Sequence, residues 1–157
     1  MKLLEPMSLG LLRLRNRIVM PPMATLYGAA DGTVSEMLYE YYLRRARGGV
    51  GMVIVENTAP TAGTVNYPNT LEIHDPVSEP GLARLAAGIK SACAAAAIQL
   101  FHPGRQMHPK YTGNTPVAPS AIPCPVMRAV PRPLSLIHIS EPTRPRLSSY
   151  AVFCLKK

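Results

Sequence analysis

Cysteine is scarce in this 157-residue chain. Cys93, Cys124 and Cys154 are too few and too scattered for a disulfide framework or a paired-cysteine metal site. The expected setting is therefore reducing and cytoplasmic. No apolar run reaches the roughly 18 residues of a membrane span. The N-terminus, Met1-Lys2-Leu3-Leu4-Glu5-Pro6, lacks the long apolar core and small-residue cleavage site of a secretory signal. Acidic residues are outnumbered nine to 17, giving a formal charge of +8. That excess sits on no basic helix and on no stripe interleaved with aromatics, so nucleic acid is not the expected partner. Arg13, Arg15 and Arg17 alternate, which reads as one solvated face of a strand. What is present in quantity is apolar: 47% hydrophobic residues against 17% charged ones exclude a wholly disordered chain, and the length suits about one domain.

Ten of the 17 prolines lie between Pro103 and Pro145. Beyond them no single periodicity runs through residues 134–157. That stretch resembles translated sequencing-library adapter, from Leu134 to Arg144 and again from Tyr150 to Lys157, with Ser148 as the one departure. Residues 133–157 are accordingly expected to be a non-native, disordered tail, and His138, Cys154, Lys156 and Lys157 are set aside from any site. A genuine basic tail is the alternative.

Residues 1–132 alternate between strand and helix signals. Leu9-Gly10, followed by Leu11, Leu12 and Leu14, predicts a short hairpin. Residues 17–20 form an apolar run stopped by Pro21-Pro22. Asp31-Gly32 marks a turn, and Thr33 through Glu36 fits a capping box opening a helix from about Ser35 to Arg47. Leu38, Tyr41, Tyr42 and Arg45 give that helix one packed side, and Gly48-Gly49 ends it. Residues 50–55 read as a strand covered on both faces, and 57–78 as a long polar loop. A second helix opens near Glu79-Pro80, with Leu82, Leu85, Ala86 and Ile89 at helical spacing. A third strand follows at about 97–101. Helical crossovers between strands give a parallel α/β fold.

Read as residues alone, the chemistry-bearing positions stay ambiguous. Gln99 suits a buried, satisfied amide, and Pro22 and Met23 suit a strand stop and core filler. His102 and His108 flank Pro103-Gly104 and leave a metal pair open. Glu56, at a strand end without a second carboxylate, reads as a hydrogen-bonded structural acid. Tyr39, Tyr41 and Tyr42 read as helix packing.

A resemblance then bears on the choice. Leu14-Arg15-Asn16-Arg17-Ile18-Val19-Met20-Pro21-Pro22-Met23 resembles the first barrel strand of the old yellow enzyme family of FMN-dependent ene-reductases and NAD(P)H:flavin oxidoreductases. Asp31-Gly32, Arg44 through Gly51, Val53-Ile54-Val55-Glu56 and Ile98 through Gln106 resemble the family in the same order, as does Ala118-Pro119-Ser120 through Arg132. Within the family the chain looks most like the enoate reductase and 2,4-dienoyl-CoA reductase branch. The resemblance implies an FMN-binding TIM barrel, of which residues 1–132 would be the N-terminal part, about three of eight β/α units. It implies a cofactor site from Pro22, Met23, Ala24, Thr25, Ala59 and Gln99, with Tyr27 lining the substrate pocket. Gln99 would pair with the pyrimidine edge, Pro22 and Met23 would bed the ring, and the Ala24 N–H would reach its O4 or N5. Relatives often carry Cys or Thr at position 24, and Thr25 stands next to it as a substitute. His102 becomes a loop residue, and no metal ligand set is implied.

The implied chemistry is hydride transfer from NADH or NADPH through FMN to the activated C=C of an enone, enoate or dienoyl-type substrate. The substrate-binding histidines, the phosphate site and any iron–sulfur cysteines would lie later in the chain, so no catalytic residue is assigned here and the isolated chain is expected to be inactive. A homo-oligomer is in keeping with the whole protein. The alternative is a non-enzymatic half-barrel serving as a binding or scaffold module. Cys93 stands where the family usually has Gly, and a left-handed helix end there would strain it by roughly 1 kcal/mol.

Overall fold

The computed structural model describes residues 2–65, 67–134 and the strand Ala151–Cys154. β1 (Met7–Leu9) and β2 (Leu12–Leu14) form the expected antiparallel hairpin, turning through Gly10 at φ +58°. β3 (Val19–Met20) is stopped by Pro21-Pro22. It is followed by α1 (Glu36–Arg47), β4 (Met52–Ala59), the short β5 (Leu71–Glu72), α2 (Glu79–Ser91) and β6 (Ala95–Leu100). One helical turn, α3 (Pro109–Thr112), and the two-residue strands β7 (Val117–Ala118) and β8 (Arg132–Pro133) organise the proline-rich segment. β9 (Ala151–Cys154) comes last.

β3, β4 and β6 lie side by side and run parallel, with α1 and α2 as the crossovers, and β5 adds parallel to the end of β4. The two faces of this sheet are covered differently. Val53, Val55, Ala96 and Ile98 join Leu38, Tyr42, Ala46, Leu82, Leu85 and Ile89 in the main core. Met52 and Ala97, with Ile54 and Ala95 beside them, face the other way, toward Leu14, Leu12 and Met7 of the hairpin. Helices therefore cover one face, and the hairpin covers the start of the other. Among the described residues, these three parallel strands and two crossover helices form a partial α/β fragment with no closed barrel.

Several boundaries differ from the sequence reading, each for a local reason. β4 runs through Ala59, three residues into the predicted loop, because β6 and β5 pair its backbone. The capping box at Thr33–Glu36 does not form. Asp31 Oδ1 takes both the Thr33 N–H (3.1 Å) and its hydroxyl (2.7 Å), so the cap passes to Ser35, whose Oγ accepts the Leu38 N–H at 3.1 Å. Glu36 falls in the first helical turn and binds Arg84 of α2 through two contacts, 2.7 and 2.9 Å. On α1 the buried residues are Leu38, Tyr42, Leu43 and Ala46; Arg45 is exposed, with its guanidinium 3.6 Å over the Tyr41 ring. Nor do the three arginines share a solvated face. Arg15 reaches across to the end of α1, donating to Ala46 O (2.7 Å) and twice to Val50 O (2.9 and 3.1 Å). It adds a second donor to Ala46 O, which also accepts the Gly49 N–H, and satisfies the Val50 carbonyl just past the helix end.

α2 buries Leu82, Leu85, Ala86 and Ile89 as predicted. It ends in a Schellman arrangement: Cys93 N–H donates to Lys90 O (2.9 Å) and Ala94 N–H to Ile89 O (3.3 Å), with Cys93 at φ +59°. The strained cysteine expected there is thus present. Of the segment expected to be a disordered tail, Pro133 belongs to β8, and Ala151–Cys154 pairs antiparallel with Ala97–Leu100. β6 would otherwise present an unpaired strand edge, which an extended segment can add to. Residues 135–150 and 155–157 of that tail lie outside the described residues.

Candidate functional site

In parallel α/β folds, sites gather at the carboxyl ends of the strands. Here those ends belong to β3, β4 and β6. The turn after β3 carries Pro22, Met23, Ala24 and Thr25. Met23 is 61% exposed, and Pro22 is half-buried. Pro21 and Pro22 have no N–H. Among the described residues, neither Met23 N–H nor Ala24 N–H has an acceptor, whereas Thr25 N–H donates to Glu56 Oε2 at 3.0 Å. The Thr25 hydroxyl donates to the same oxygen at 2.7 Å and accepts the Tyr27 N–H at 3.1 Å. Beyond it, Leu26 sits at φ +60°, with its carbonyl receiving Asn69 Nδ2 (3.4 Å), and Ser35 Oγ donates to Tyr27 O. The Tyr27 ring, 40% exposed, meets Tyr41 of α1 edge-on at 5.6 Å.

β4 carries an irregularity that reshapes its end. Val55 pairs with Ile98, yet Asn57 pairs with Gln99, so Glu56 is an extra residue with no opposite number. Such a bulge re-aims side chains. Simple alternation would send Glu56 to the face shared by Met52 and Ile54. Instead its carboxylate meets Tyr42 in the helix-side core: Tyr42 Oη donates to Oε2 at 3.2 Å and accepts the Glu56 N–H at 2.8 Å. Burial, and then the adjacent Glu56 charge, push the Tyr42 hydroxyl far above its ordinary range and hold it as a donor. Glu56 is therefore the hydrogen-bonded structural acid that the sequence suggests.

Past the bulge, alternation resumes in a new phase. Thr58 pairs with Leu100, which packs on the helix-side core, so Asn57 and Gln99 face the opposite side as neighbours. Both are half-buried. Asn57 escaped the sequence reading because Glu56-Asn57 looks like the start of a loop; its one signal is the register with Gln99. Ala59 is the last residue of β4 rather than the first after it, and it is 1% exposed beneath the Ile73 N–H bond to its carbonyl.

His102 and His108 each hold their own loop through Nδ1. His102 Nδ1 accepts the Gly104 N–H (3.0 Å) and His108 Nδ1 the Lys110 N–H (3.1 Å); burial lowers the pKa of His102, favouring the neutral ring. Among the described residues no three His, Cys, Asp or Glu side chains converge as metal ligands. No described helix is long and apolar enough to cross a membrane. A cavity of about 820 Å³ lies elsewhere, along α2 between Leu82, Ala86, Lys90 and Ile98.

The strand ends thus combine free backbone donors, paired carboxamides and an exposed thioether. These suit a flat ring with an amide-like edge, and FMN has such a ring. Similarity to known proteins gives the family. The NADH:flavin oxidoreductase / NADH oxidase family model matches residues 2–140. The NADH oxidase of Thermoanaerobacter brockii is 43% identical over 140 residues, which are 85% of this chain and 21% of that protein. The NADH:fumarate oxidoreductase of Klebsiella pneumoniae is 39% identical over 137 residues, 85% of this chain and 15% of that one. Among solved structures, the old yellow enzyme homologue of Zymomonas mobilis superposes with a TM-score of 0.78 at 26% identity, over 87% of this chain and 40% of its own. The chain thus spans well under half the length of these relatives. With this sequence match, and with β/α units that superpose on the start of such a barrel, the chain belongs to the NADH:flavin oxidoreductase / NADH oxidase family, whose fold here is part of an old yellow enzyme TIM barrel.

Proposed function

We propose that this chain forms the flavin-ring side of an FMN site in an oxidoreductase that draws on NADH or NADPH and reduces an activated C=C. The observation that carries the reading is the placement of the Gln99 and Asn57 carboxamides in register, on the face opposite the helices, at the strand ends that also carry the free Ala24 N–H. When bound, FMN supplies the hydride chemistry. The residues of this chain bind and orient. Gln99 offers donor and acceptor to the pyrimidine edge, Ala24 N–H donates to a ring heteroatom, and Pro22 with Met23 beds the ring. Ala59, 1% exposed, packs behind this site and offers the ring no surface. Tyr27, held by Tyr41, lines the approach for substrate. Thr25 belongs to the site through the turn that it holds.

The substrate class is an enone, enoate or dienoyl-type molecule. The names of the relatives favour it: one is an NADH:fumarate oxidoreductase, and another, from Vibrio harveyi and 34% identical, an NADH:acrylate oxidoreductase. Both acids carry a C=C conjugated to a carboxylate. A cytoplasmic protein that self-associates is in keeping with this reading. The apolar cavity along α2 is a surface that further β/α units would cover, and the edge of β6, paired here with Ala151–Cys154, is where the next barrel strand would add. The isolated chain therefore self-associates and does not turn over.

The test compares the 157-residue chain with residues 1–132 joined to the later barrel units of the T. brockii NADH oxidase. FMN titration and NADH-dependent reduction of an enone are measured on each. The joined protein holds near-stoichiometric FMN, and Gln99→Leu weakens it by about tenfold, the worth of one good hydrogen-bonding group. A colourless joined protein that is folded by circular dichroism refutes the flavin reading. A soluble, yellow, monomeric 157-residue chain refutes the need for further units.

A further inference from the structure

We propose that Glu56 is a positioning residue, a carboxylate turned by the β4 bulge onto Thr25 so that the turn after β3 presents its Met23 and Ala24 N–H groups toward the cofactor; the cofactor part of this rests on the flavin reading above. The bulge places the Glu56 side chain on the helix side, 1% exposed, where an unpaired charge would be costly. It is paired on two sides. Tyr42 Oη holds the rear of the carboxylate and takes the Glu56 N–H in return. Thr25 supplies the front with two donors, its N–H and its hydroxyl. Charge-assisted bonds of this kind are the strong ones.

This accounting decides what Thr25 can do. Its hydroxyl has one proton, and that proton is given to Glu56. Its lone pair takes the Tyr27 N–H. Thr25 therefore has no donor left for a flavin, either from side chain or backbone. With Pro21 and Pro22 lacking N–H groups, Met23 and Ala24 are the donors the turn can offer. Glu56 thus acts through Thr25 and touches no cofactor itself.

Two measurements test the idea. Peptide-level amide exchange on the flavin-free 157-residue chain reads the segment around Thr25 to Tyr27 directly. Glu56→Gln and Thr25→Val each speed exchange there by about tenfold, the equivalent of one charge-assisted bond weakened. Tyr42→Phe, on the other side of the carboxylate, lowers global stability but leaves this segment within about twofold. FMN affinity of the joined protein is the second readout. Glu56→Gln and Thr25→Val each weaken it about tenfold, the double variant loses no more than either single one, and Tyr42→Phe changes little.

Unchanged exchange in Glu56→Gln overturns the proposal, as does loosening of equal size in Tyr42→Phe, which would mark Glu56 as a core group only. Tighter FMN in Glu56→Gln overturns it too, because that is the result if the released Thr25 hydroxyl serves the flavin directly. If the unmodified joined protein takes no FMN, the flavin reading falls, and the exchange data still decide whether Glu56 holds the turn.

Discussion

Replacing Cys93 with glycine should stabilise this protein. Cys93 sits at φ +59°, one residue past the Ala92 cap of α2, and its N–H and that of Ala94 close the helix end. A left-handed conformation costs an L-residue roughly 1–2 kcal/mol, because Cβ crowds a carbonyl oxygen. Glycine removes that cost and gives back about 0.5–1 kcal/mol through its freer unfolded chain. Cys93 is exposed, so its thiol buries nothing that would be lost. The balance is a gain of about 0.5–1 kcal/mol. With a urea slope of about 2 kcal/mol per molar, the unfolding midpoint rises by about 0.25–0.5 M. Urea titration at low micromolar protein, followed by circular dichroism, reads this shift. Cys93→Ala is the control, since it removes the thiol and keeps the Cβ. An unchanged or lower midpoint for Cys93→Gly at equal slope refutes the strain argument. An equal rise in Cys93→Ala transfers the effect from backbone to sulfur.

Arg15→Ala should cost about 1.5–3 kcal/mol in the same titration, because it strands the Val50 carbonyl and leaves Ala46 O only the Gly49 N–H, while Arg13→Ala changes little. Arg15→Lys recovers only part of that loss, since an ammonium cannot fork across two carbonyls. Gly51→Ala should destabilise by about 2 kcal/mol or more, because its Cβ would lie 2.4 Å from the Asn16 backbone oxygen; thermal unfolding measures this. The Arg84 hydrogen bond holds the Glu36 carboxyl below its ordinary 4.5. The stability it contributes is present above that value and is lost as pH falls through the lower folded-state value. Glu36→Gln should therefore flatten the decline of the urea midpoint below about pH 4.5, and an identical profile in both proteins refutes the coupling.

What the sequence revealed was what local periodicity and local sterics dictate. Leu82, Leu85, Ala86 and Ile89 announced the buried side of α2, and proline marked the end of β3. The strain at Cys93 was readable because a helix end imposes it on whatever residue stands there. Glu56 was readable as a satisfied acid from its strand-end position and lack of a carboxylate partner. The bulge that turns it was not readable, because the pairing with β6 creates it and no feature of residues 52–59 does. Asn57 was hidden for the same reason. Arg15 was misjudged because its acceptors lie at and just past the end of a helix, more than 30 positions away. Thr33 looked like a cap until Asp31 claimed both of its donors. On the site itself, Pro22 through Thr25 follow β3 and Gln99 ends β6, with β4 between them, whereas Ala59 lies covered and Tyr27 leans on α1.

The clasp made by Arg15 also bears on how the chain acquires its shape. Arg15 ties the start of the first β/α unit to Ala46 and Val50, at separations of 31 and 35 residues, and Thr25 meets Glu56 across 31. Both ties are available once about sixty residues have emerged from the ribosome, before α2 or β6 has been made. Domains commonly fold in the order of their synthesis, and short loops are cheap to close. The first unit is thus latched at both ends while the rest of the sheet is still unwritten, and it can serve as the template on which later strands align.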